Sequence, residues 1–316
     1  MMYRNSRVKY FQVAQGVWGL KLAFVNIYMI ANRRGVARGW VLVDTGIKGS
    51  AEKIITMAET LFGLGTRPLA IVLTHGHPDH SGSVEELLKY WDVPVYAHPL
   101  ELPYLTGESS HPPADPTVGG GLVSLISVFF NGKLPNLKKK VFPMDVNEGI
   151  TELPEWRVIE TPGHSPGHIS LFLPLNTTLI AGDAFATTKA ESAIYVFADI
   201  KKLSGPPMYF TPDWEQAAKS VRKLADLQPR IVAAGHGPVM RGREMQLELQ
   251  NLADNFAELA VPGSGRYVCN PVIAGESGII YTPPFKSNVS FKVTVIAIAA
   301  VLTGFIAARQ LSRKLG

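Results

Sequence analysis

The segment Thr74–His80 has the sequence THGHPDH and places three histidines and one aspartate within six residues. It follows the apolar run Leu69–Leu73, which is typical of a buried strand. The cluster therefore lies where a strand ends and a loop begins, so several side chains can converge on one point beyond the strand tip. Imidazole suits zinc or iron, and a neighbouring carboxylate can bind a second ion. The segment predicts a metal site rather than a histidine-rich surface loop.

Three further segments repeat this form, in which small residues and a metal-type ligand follow an apolar strand. They are Thr161–His168 (TPGHSPGH), Ala181–Asp183 (AGD) and Ala234–Gly237 (AGHG). A single histidine or aspartate in such a turn is more often ordinary turn chemistry. Four strand ends that carry ligands favour a dinuclear site at one edge of a sheet.

An HxHxDH motif at 75–80 is followed in order by His164, Asp183 and His236. This ordered set resembles the metallo-β-lactamase superfamily, with matching motifs from about residue 41 to residue 236. The stretch Val41–Gly46 (VLVDTG) resembles the early strand of that family, which has an aspartate at its tip. The resemblance implies an α/β fold, the four-layer αββα sandwich of the metallo-β-lactamase type. The similarity of Val43–Gly46 to Ile180–Asp183 agrees with two related halves.

The resemblance also implies which side chains would hold two ions. The first would be held by His75, His77 and His164, the second by Asp79, His80 and His236, and Asp183 would bridge them. A metal-bound hydroxide would be the nucleophile, and Asp79 would be a catalytic residue that passes a proton to the leaving group. Two divalent ions, zinc by default, are the expected cofactors, and iron or manganese also fits these ligands.

Four residues near the motifs carry weaker signals. Asp44 either orients the ligand loop by hydrogen bonds or is a plain turn residue. His168 is expected to support a ligand rather than only to satisfy a buried polar contact. His98 borders the pocket or lies on the surface, and His111, in a proline-rich loop, is expected to be structural or solvated.

Composition and charge limit the classes of partner. Hydrophobic residues make up 46% of the 316 residues and charged residues 18%, which is enough apolar content for a substantial core. The net charge of +5 makes nucleic acid a partner to consider. Basic runs such as Lys138–Lys140 lack interleaved aromatic residues, so we expect no binding of nucleic acid. The single Cys269 excludes an internal disulfide framework. No secretory signal is evident, so a cytoplasmic location is expected.

The sequence predicts a metallo-β-lactamase-like domain over residues 1–260, with an insertion at 100–140. Helical periodicity predicts helices over 51–62, 83–90, 213–227 and 242–260. The apolar run Leu122–Phe130 within the insertion is a lid helix over the substrate pocket, a contact surface or ordinary core. Aromatic residues that follow Asp183, such as Tyr209 and Phe210, form the opposite wall of the pocket or pack in the core.

The C-terminal part is predicted to be a linker or extension at 261–290 and an apolar helix at 291–316. The run Val293–Ala308 is apolar on all sides, with Lys292 before it and Arg309 after it. A spanning helix needs about 20 apolar residues, so this run is short, although its basic flanks can extend it by snorkelling. A membrane anchor is favoured, which would make the protein membrane-associated. The alternative is a helix packed on the domain or on a second subunit of a homodimer.

The expected reaction is hydrolysis of an ester, lactone or thioester, as in the glyoxalase II-like and lactonase-like branches of the superfamily. The substrate would be a small, partly apolar molecule. Ala186 stands where many acyl-homoserine lactonases have a tyrosine, so the branch stays open. One alternative is an oxidoreductase similar to the mono-iron persulfide dioxygenases, with iron at His75, His164 and Asp183. The other is a β-lactamase-like amide hydrolase. The presence of Asp79, His80 and His236 favours two metal ions and therefore hydrolysis.

Overall fold

Two mixed β-sheets form the centre of the protein, whose structure is a computed structural model that describes residues 8–32, 39–130 and 136–285. Within these residues the first sheet contains seven strands, which are β1 (Tyr10–Ala14), β2 (Val17–Leu22), β3 (Val25–Asn32), β4 (Gly39–Val43), β5 (Ala70–Val72), β6 (Val95–Ala97) and β7 (Val141–Pro143). The second contains β8 (Arg157–Glu160), β9 (Ile169–Leu173), β10 (Thr178–Gly182), β11 (Ile231–Ala234) and β12 (Met240–Arg241). A separate hairpin is formed by β13 (Ile273–Gly275) and β14 (Gly278–Tyr281).

The strands of the first sheet follow chain order from β1 to β7, and those of the second run in the order β12-β11-β10-β9-β8. Neighbours from β1 to β4 are antiparallel, whereas neighbours from β4 to β7 are parallel. In the second sheet, β10 and β11 form the parallel pair. Each sheet therefore has parallel strands whose carboxyl ends share one edge.

Helices account for most of the remaining regular structure. They are α1 (Ala51–Phe62), α2 (Pro78–Ser81), α3 (Val84–Tyr90), α4 (Leu102–Thr106), α5 (Leu122–Ile126), α6 (Ala193–Phe197), α7 (Trp214–Asp226), α8 (Gly242–Asp254) and α9 (Phe256–Leu259). The helices predicted over 51–62, 83–90 and 213–227 are confirmed as α1, α3 and α7. The prediction of one helix over 242–260 is wrong, because Asn255 leaves helical geometry (φ −119°, ψ 33°) and separates α8 from α9.

Three hydrophobic clusters define four layers. Ile54 of α1 and Leu87 of α3 pack in a cluster on the outer face of the first sheet. Val221 of α7 and Leu249 of α8 pack in another cluster on the outer face of the second sheet. The third cluster lies between the sheets and includes Val41, Val43, Val72, Ile180 and Ala233. The predicted αββα sandwich is therefore confirmed.

Strand β4 illustrates how the sequence produces this layering. Side chains of a strand alternate between its two faces. Leu42 belongs to the cluster with α1 and α3, whereas Val41 and Val43 belong to the cluster between the sheets. All three side chains are fully buried. An uninterrupted apolar run is what a strand covered on both faces requires.

Hydrogen bonds join the two sheets at the edge where β5 and β11 end. The Tyr28 hydroxyl of β3 donates to the carbonyl of Ala234 at the end of β11, at 2.6 Å. The backbone N–H of Ile169, in β9, donates to the carbonyl of Thr74, just beyond β5, at 2.9 Å. The segments that follow these strands carry the predicted ligands, and they therefore meet at one place.

The predicted insertion at 100–140 contains short helical segments. The run Leu122–Phe130 forms α5 followed by a 3₁₀ turn. Ordinary core is the wrong interpretation for its ends, because Leu122 is 53% and Phe129 68% exposed. The ring of Phe130 lies 5.9 Å from the ring of Tyr209, so this part of the insertion reaches the aromatic residues that follow Asp183.

The chain divides into two units, of which the first extends to Thr282. Residues 261–282, predicted as a linker or extension, belong to this first unit. Tyr267 in this segment is buried, and its hydroxyl donates to the carbonyl of Pro113 in the insertion. The apolar helix predicted at 291–316 lies outside the described residues. Among the residues that the structure describes, no helix has both the length and the apolar character needed to cross a membrane.

The start of α7 offers a test of the local sequence signals. Oδ1 of Asp213 accepts the backbone N–H of Gln216 at 2.9 Å. We expect Asp213→Ala to lower the free energy of unfolding by about 1 kcal/mol, because this N–H loses its partner. Glu215→Ala, an exposed change in the same turn, loses the surface pair with Lys219 and one charge near the start of the helix, and it should cost clearly less. Urea denaturation measures both, and equal losses would contradict the capping role.

Candidate metal centre

Three imidazole nitrogens meet beyond the end of β5. Nδ1 of His77 lies 3.0 Å from Nε2 of His75 and 2.9 Å from Nε2 of His164. His75 and His77 follow β5 closely, while His164 comes from the loop between β8 and β9. All three rings are almost completely buried. We call His75, His77 and His164 the first triad.

The rings of the first triad are held in their neutral form. Burial, reinforced by the neighbouring imidazoles, lowers the pKa of each histidine well below its usual range. Each neutral imidazole has only one N–H and therefore keeps one nitrogen free to accept, and a cation could bind three such nitrogens at once. Ligand atoms of a tetrahedral zinc ion, each 2.0–2.1 Å from the metal, are about 3.3 Å apart. The spacing and the chemistry of the first triad therefore fit a divalent ion.

A second group, formed by Asp79, His80 and His236, lies beside the triad. Oδ2 of Asp79 is 3.4 Å from Nε2 of His236 and 3.9 Å from Nε2 of His80. Burial by itself lowers the pKa of both histidines, but the nearby carboxylates, above all Asp183, have the larger combined effect. They raise the pKa of His80 well above its usual range and that of His236 to about 10. The second group thus attracts positive charge, which a metal ion supplies once the rings have released their protons.

The carboxylate of Asp183 lies between the two groups. Its Oδ2 is 3.4 Å from Nε2 of His164, 3.5 Å from that of His80 and 3.1 Å from that of His236. Oδ1 of Asp183 and Nε2 of His80 are buried without a hydrogen-bond partner in the described part of the chain. An unsatisfied buried polar atom is costly, and coordination of a cation would remove that cost.

Asp44, just beyond β4, orients His80. Oδ2 of Asp44 lies 2.8 Å from Nδ1 of His80, which leaves Nε2 to face the site. The same carboxylate accepts the backbone N–H and the hydroxyl of Thr74, both at 2.8 Å. Asp44 adopts a positive φ of 62°, a conformation that persists where surrounding contacts enforce it. Of its two interpretations, the structure therefore supports the orientation of a ligand.

Two further contacts fix ligands in the same way. Nε2 of His168 accepts the backbone N–H of Asp183 at 2.8 Å, and burial lowers the pKa of His168 to about 3, as a neutral acceptor requires. The expectation that His168 supports a ligand agrees with this contact. Nδ1 of His236 donates to the carbonyl of Phe24 at 3.0 Å, and the two rings stack. Nothing in the sequence around Phe24 indicated this role, because the contact joins distant parts of the chain.

All seven predicted ligand residues therefore meet at one edge of an αββα sandwich. A sequence model described as "Metallo-beta-lactamase superfamily" matches residues 20–236. The chain belongs to the metallo-β-lactamase superfamily. The resemblance inferred from the HxHxDH motif is thus confirmed.

Two of three relatives are similar over most of this chain and one over less than half of it. The probable metallo-hydrolase YflN of Bacillus subtilis (strain 168) is 42% identical over 249 residues, which cover 79% of this chain and 94% of YflN. The crystal structure of TTHA1623 in a di-iron-bound form has 27% identity and a TM-score of 0.50, and the match covers 71% of this chain and 92% of that one. Hydroxyacylglutathione hydrolase of Alkalilimnicola ehrlichii is 31% identical over 152 residues, which are 46% of this chain and 45% of that enzyme. This chain is a metal-dependent hydrolase of the metallo-β-lactamase superfamily.

A narrow cleft opens beside the first triad of this metallo-β-lactamase-type site. Its walls include Pro112 and Pro113 of the insertion, together with Phe210. The Phe210 ring lies 4.9 Å from the ring of His77, which supports the interpretation of Phe210 as pocket wall. His111, expected to be structural or solvated, packs against the same His77 ring at 4.5 Å. Its position at the cleft was not predicted, since it depends on how the insertion folds back.

The contact between Asp44 and His80 gives a test of ligand orientation. We expect Asp44→Asn to weaken Zn²⁺ binding by the second group roughly 10- to 100-fold, because an amide does not hold the Nδ1–H of His80 as a carboxylate does. Titration against a competing chelator measures this affinity. Asp254→Asn, an exposed change that weakens surface contacts with Arg222 and Gln250, is the control and should bind as the wild type does. Equal affinity of Asp44→Asn and wild type would refute the role of Asp44.

Proposed function

We propose that this protein is a dinuclear hydrolase that cleaves a small ester, lactone or thioester. The first triad would hold one ion, the second group would hold the other, and Asp183 would bridge them. The observation that carries the proposal is that Oδ2 of Asp183 lies within 3.1–3.5 Å of imidazole nitrogens from both groups. A mononuclear site needs neither a shared carboxylate oxygen nor a second group of ligands.

The donor set supports divalent ions that accept nitrogen and oxygen ligands, with zinc as the first choice. Iron and manganese accept the same donors, and a structural relative, TTHA1623, has been solved in a di-iron-bound form. When bound, such ions polarise a substrate carbonyl and lower the pKa of water to make a nucleophile near neutral pH. The remaining chemistry belongs to side chains of this chain.

Asp79 is the ligand best placed to move a proton. Its side chain is 20% exposed, whereas that of His236 is 5% exposed and that of Asp183 2%. An ionised carboxylate has acceptor positions only, so it can take a proton from the attacking water. It would then give this proton to the leaving oxygen or sulfur as the acyl bond breaks.

The residues that line the cleft beside the first triad support a neutral, partly apolar substrate, which would have to widen the cleft on binding. Prolines and aromatic rings dominate its lining, with Pro112, Pro166 and Phe210 close to His77. The part of the lining that the structure describes contains no lysine, arginine or carboxylate. Apolar walls with a few convergent polar groups are usual for sites that bind small molecules. The similarity to hydroxyacylglutathione hydrolase supports thioesters as candidates beside lactones and simple esters.

A substrate panel tests the proposal. The metal-loaded protein should hydrolyse neutral lactones, esters or thioesters, and metal analysis should find about two ions per chain. Phosphodiesters and β-lactams in the same panel should be turned over much more slowly. A single iron per chain, together with oxygen consumption on a persulfide, would overturn the proposal in favour of a mono-iron oxidoreductase.

The bridging role of Asp183 can be tested by substitution. We expect Asp183→Ala to lower kcat/KM roughly 1,000-fold and to reduce the metal content, because both groups lose the oxygen they share. Steady-state kinetics and metal analysis on the same preparation measure the two effects. Asp254→Ala, on the outer helix α8, is the control and should leave both values unchanged. Wild-type turnover by Asp183→Ala would remove the bridging assignment.

A further inference from the structure

Glu101 is not a ligand but contacts both loops that carry the first triad. It lies between β6 and α4, and its side chain is completely buried. Oε2 accepts the backbone N–H of Gly76 at 2.8 Å. Oε1 accepts the backbone N–H of Gly167 at 2.7 Å and the hydroxyl of Ser165 at 2.8 Å. Burial of a carboxylate is costly unless it is hydrogen-bonded, and here three donors satisfy it.

The donors to Glu101 are neighbours of the triad in the sequence. Gly76 stands between His75 and His77, and Ser165 directly follows His164. The two loops extend from different sheets, yet Nδ1 of His77 lies only 2.9 Å from Nε2 of His164. One rigid carboxylate therefore fixes the separation of two loops whose ligand atoms must meet.

Two glycines of these loops, Gly76 and Gly167, lie against Glu101. A Cβ atom on Gly76 would lie 3.1 Å from both Oε2 of Glu101 and Nε2 of His111, and one on Gly167 would lie 2.7 Å from Nδ1 of His98 and 2.9 Å from Cγ of Glu101. Neither glycine has the positive φ that would by itself require glycine. Both positions therefore need a small residue because a neighbouring side chain packs against the backbone.

We propose that Glu101 is a positioning residue that sets the spacing of the first triad and thereby its affinity for a metal ion. Glu101 acts through the peptide groups of Gly76 and Gly167 rather than by contact with substrate. Ligands must be held within about 0.5 Å of their productive positions, so release of either loop would disturb the site. The inference rests on the proposed function only in requiring that the triad binds an ion.

Glu101→Gln tests this role, because glutamine keeps one acceptor oxygen and turns an NH₂ group towards the donors of one loop. In a His236→Ala background, where the first triad is intact and the second group is not, we expect Glu101→Gln to weaken Zn²⁺ binding roughly 10- to 100-fold. In a His164→Ala background, which keeps the second group, the affinity should change by less than about twofold. Competition with a chromophoric chelator measures both affinities.

Asp115→Asn is the matched control. Asp115 is also completely buried, and its carboxylate accepts the backbone N–H groups of Thr117 and Arg266, which lie in neither ligand loop. We expect this change to lower the free energy of unfolding and to leave Zn²⁺ affinity unchanged. An equal loss of affinity in the control, or an equal loss from Glu101→Gln in both backgrounds, would indicate general destabilisation and overturn the proposal.

Hydrogen–deuterium exchange of the metal-free protein tests the contacts of Glu101 without any ion. Glu101→Gln should accelerate exchange at Gly76 or Gly167 about tenfold, the equivalent of one lost hydrogen bond, and leave exchange at Thr117 unchanged. If the wild-type protein does not bind Zn²⁺, the proposed function fails, and exchange still decides whether Glu101 holds the loops. Unchanged exchange at both glycines would overturn the inference.

Discussion

The arrangement of this protein depends on the close approach of seven ligand side chains, which a bound cation would stabilise. The nitrogens of the first triad approach to about the separation of ligands on one ion. Oδ1 of Asp183 and Nε2 of His80 are buried without a partner among the described residues. Burial of these polar groups is costly, so the surrounding fold must hold them in place before an ion binds.

The sandwich provides that support because each half contributes only part of the site. The first sheet supplies the segment after β5, and the second supplies the loop between β8 and β9 and the ends of β10 and β11. The buried hydroxyl of Tyr28 joins the halves by donating to Ala234. Burial raises the pKa of Tyr28 far above its usual range, so this donor stays protonated. The ligands therefore come together only where the two sheets pack on each other.

The parts of this structure that the sequence predicted are those governed by local patterns. Apolar periodicity located α1, α3 and α7, and a repeated order of strand, small residue and ligand predicted that the four ligand segments converge. The break at Asn255 was missed, because the helical spacing of apolar residues continues through it as far as Ala260. Glu101 was missed for a different reason. Its partners Gly76 and Ser165 are distant along the chain, and nothing in the adjacent residues marks the position.

The glycines of the ligand motifs carry information that complements the histidines and aspartates. A Cβ on Gly235, which precedes the ligand His236, would lie 2.0 Å from Oδ1 of Asp183. Gly76 is kept small in the same way by Glu101 and His111, each 3.1 Å from its notional Cβ. A small residue beside a ligand in these loops thus indicates that another group approaches the backbone there. The ligands define the chemistry of the centre, and the glycines locate the contacts that hold those ligands in position.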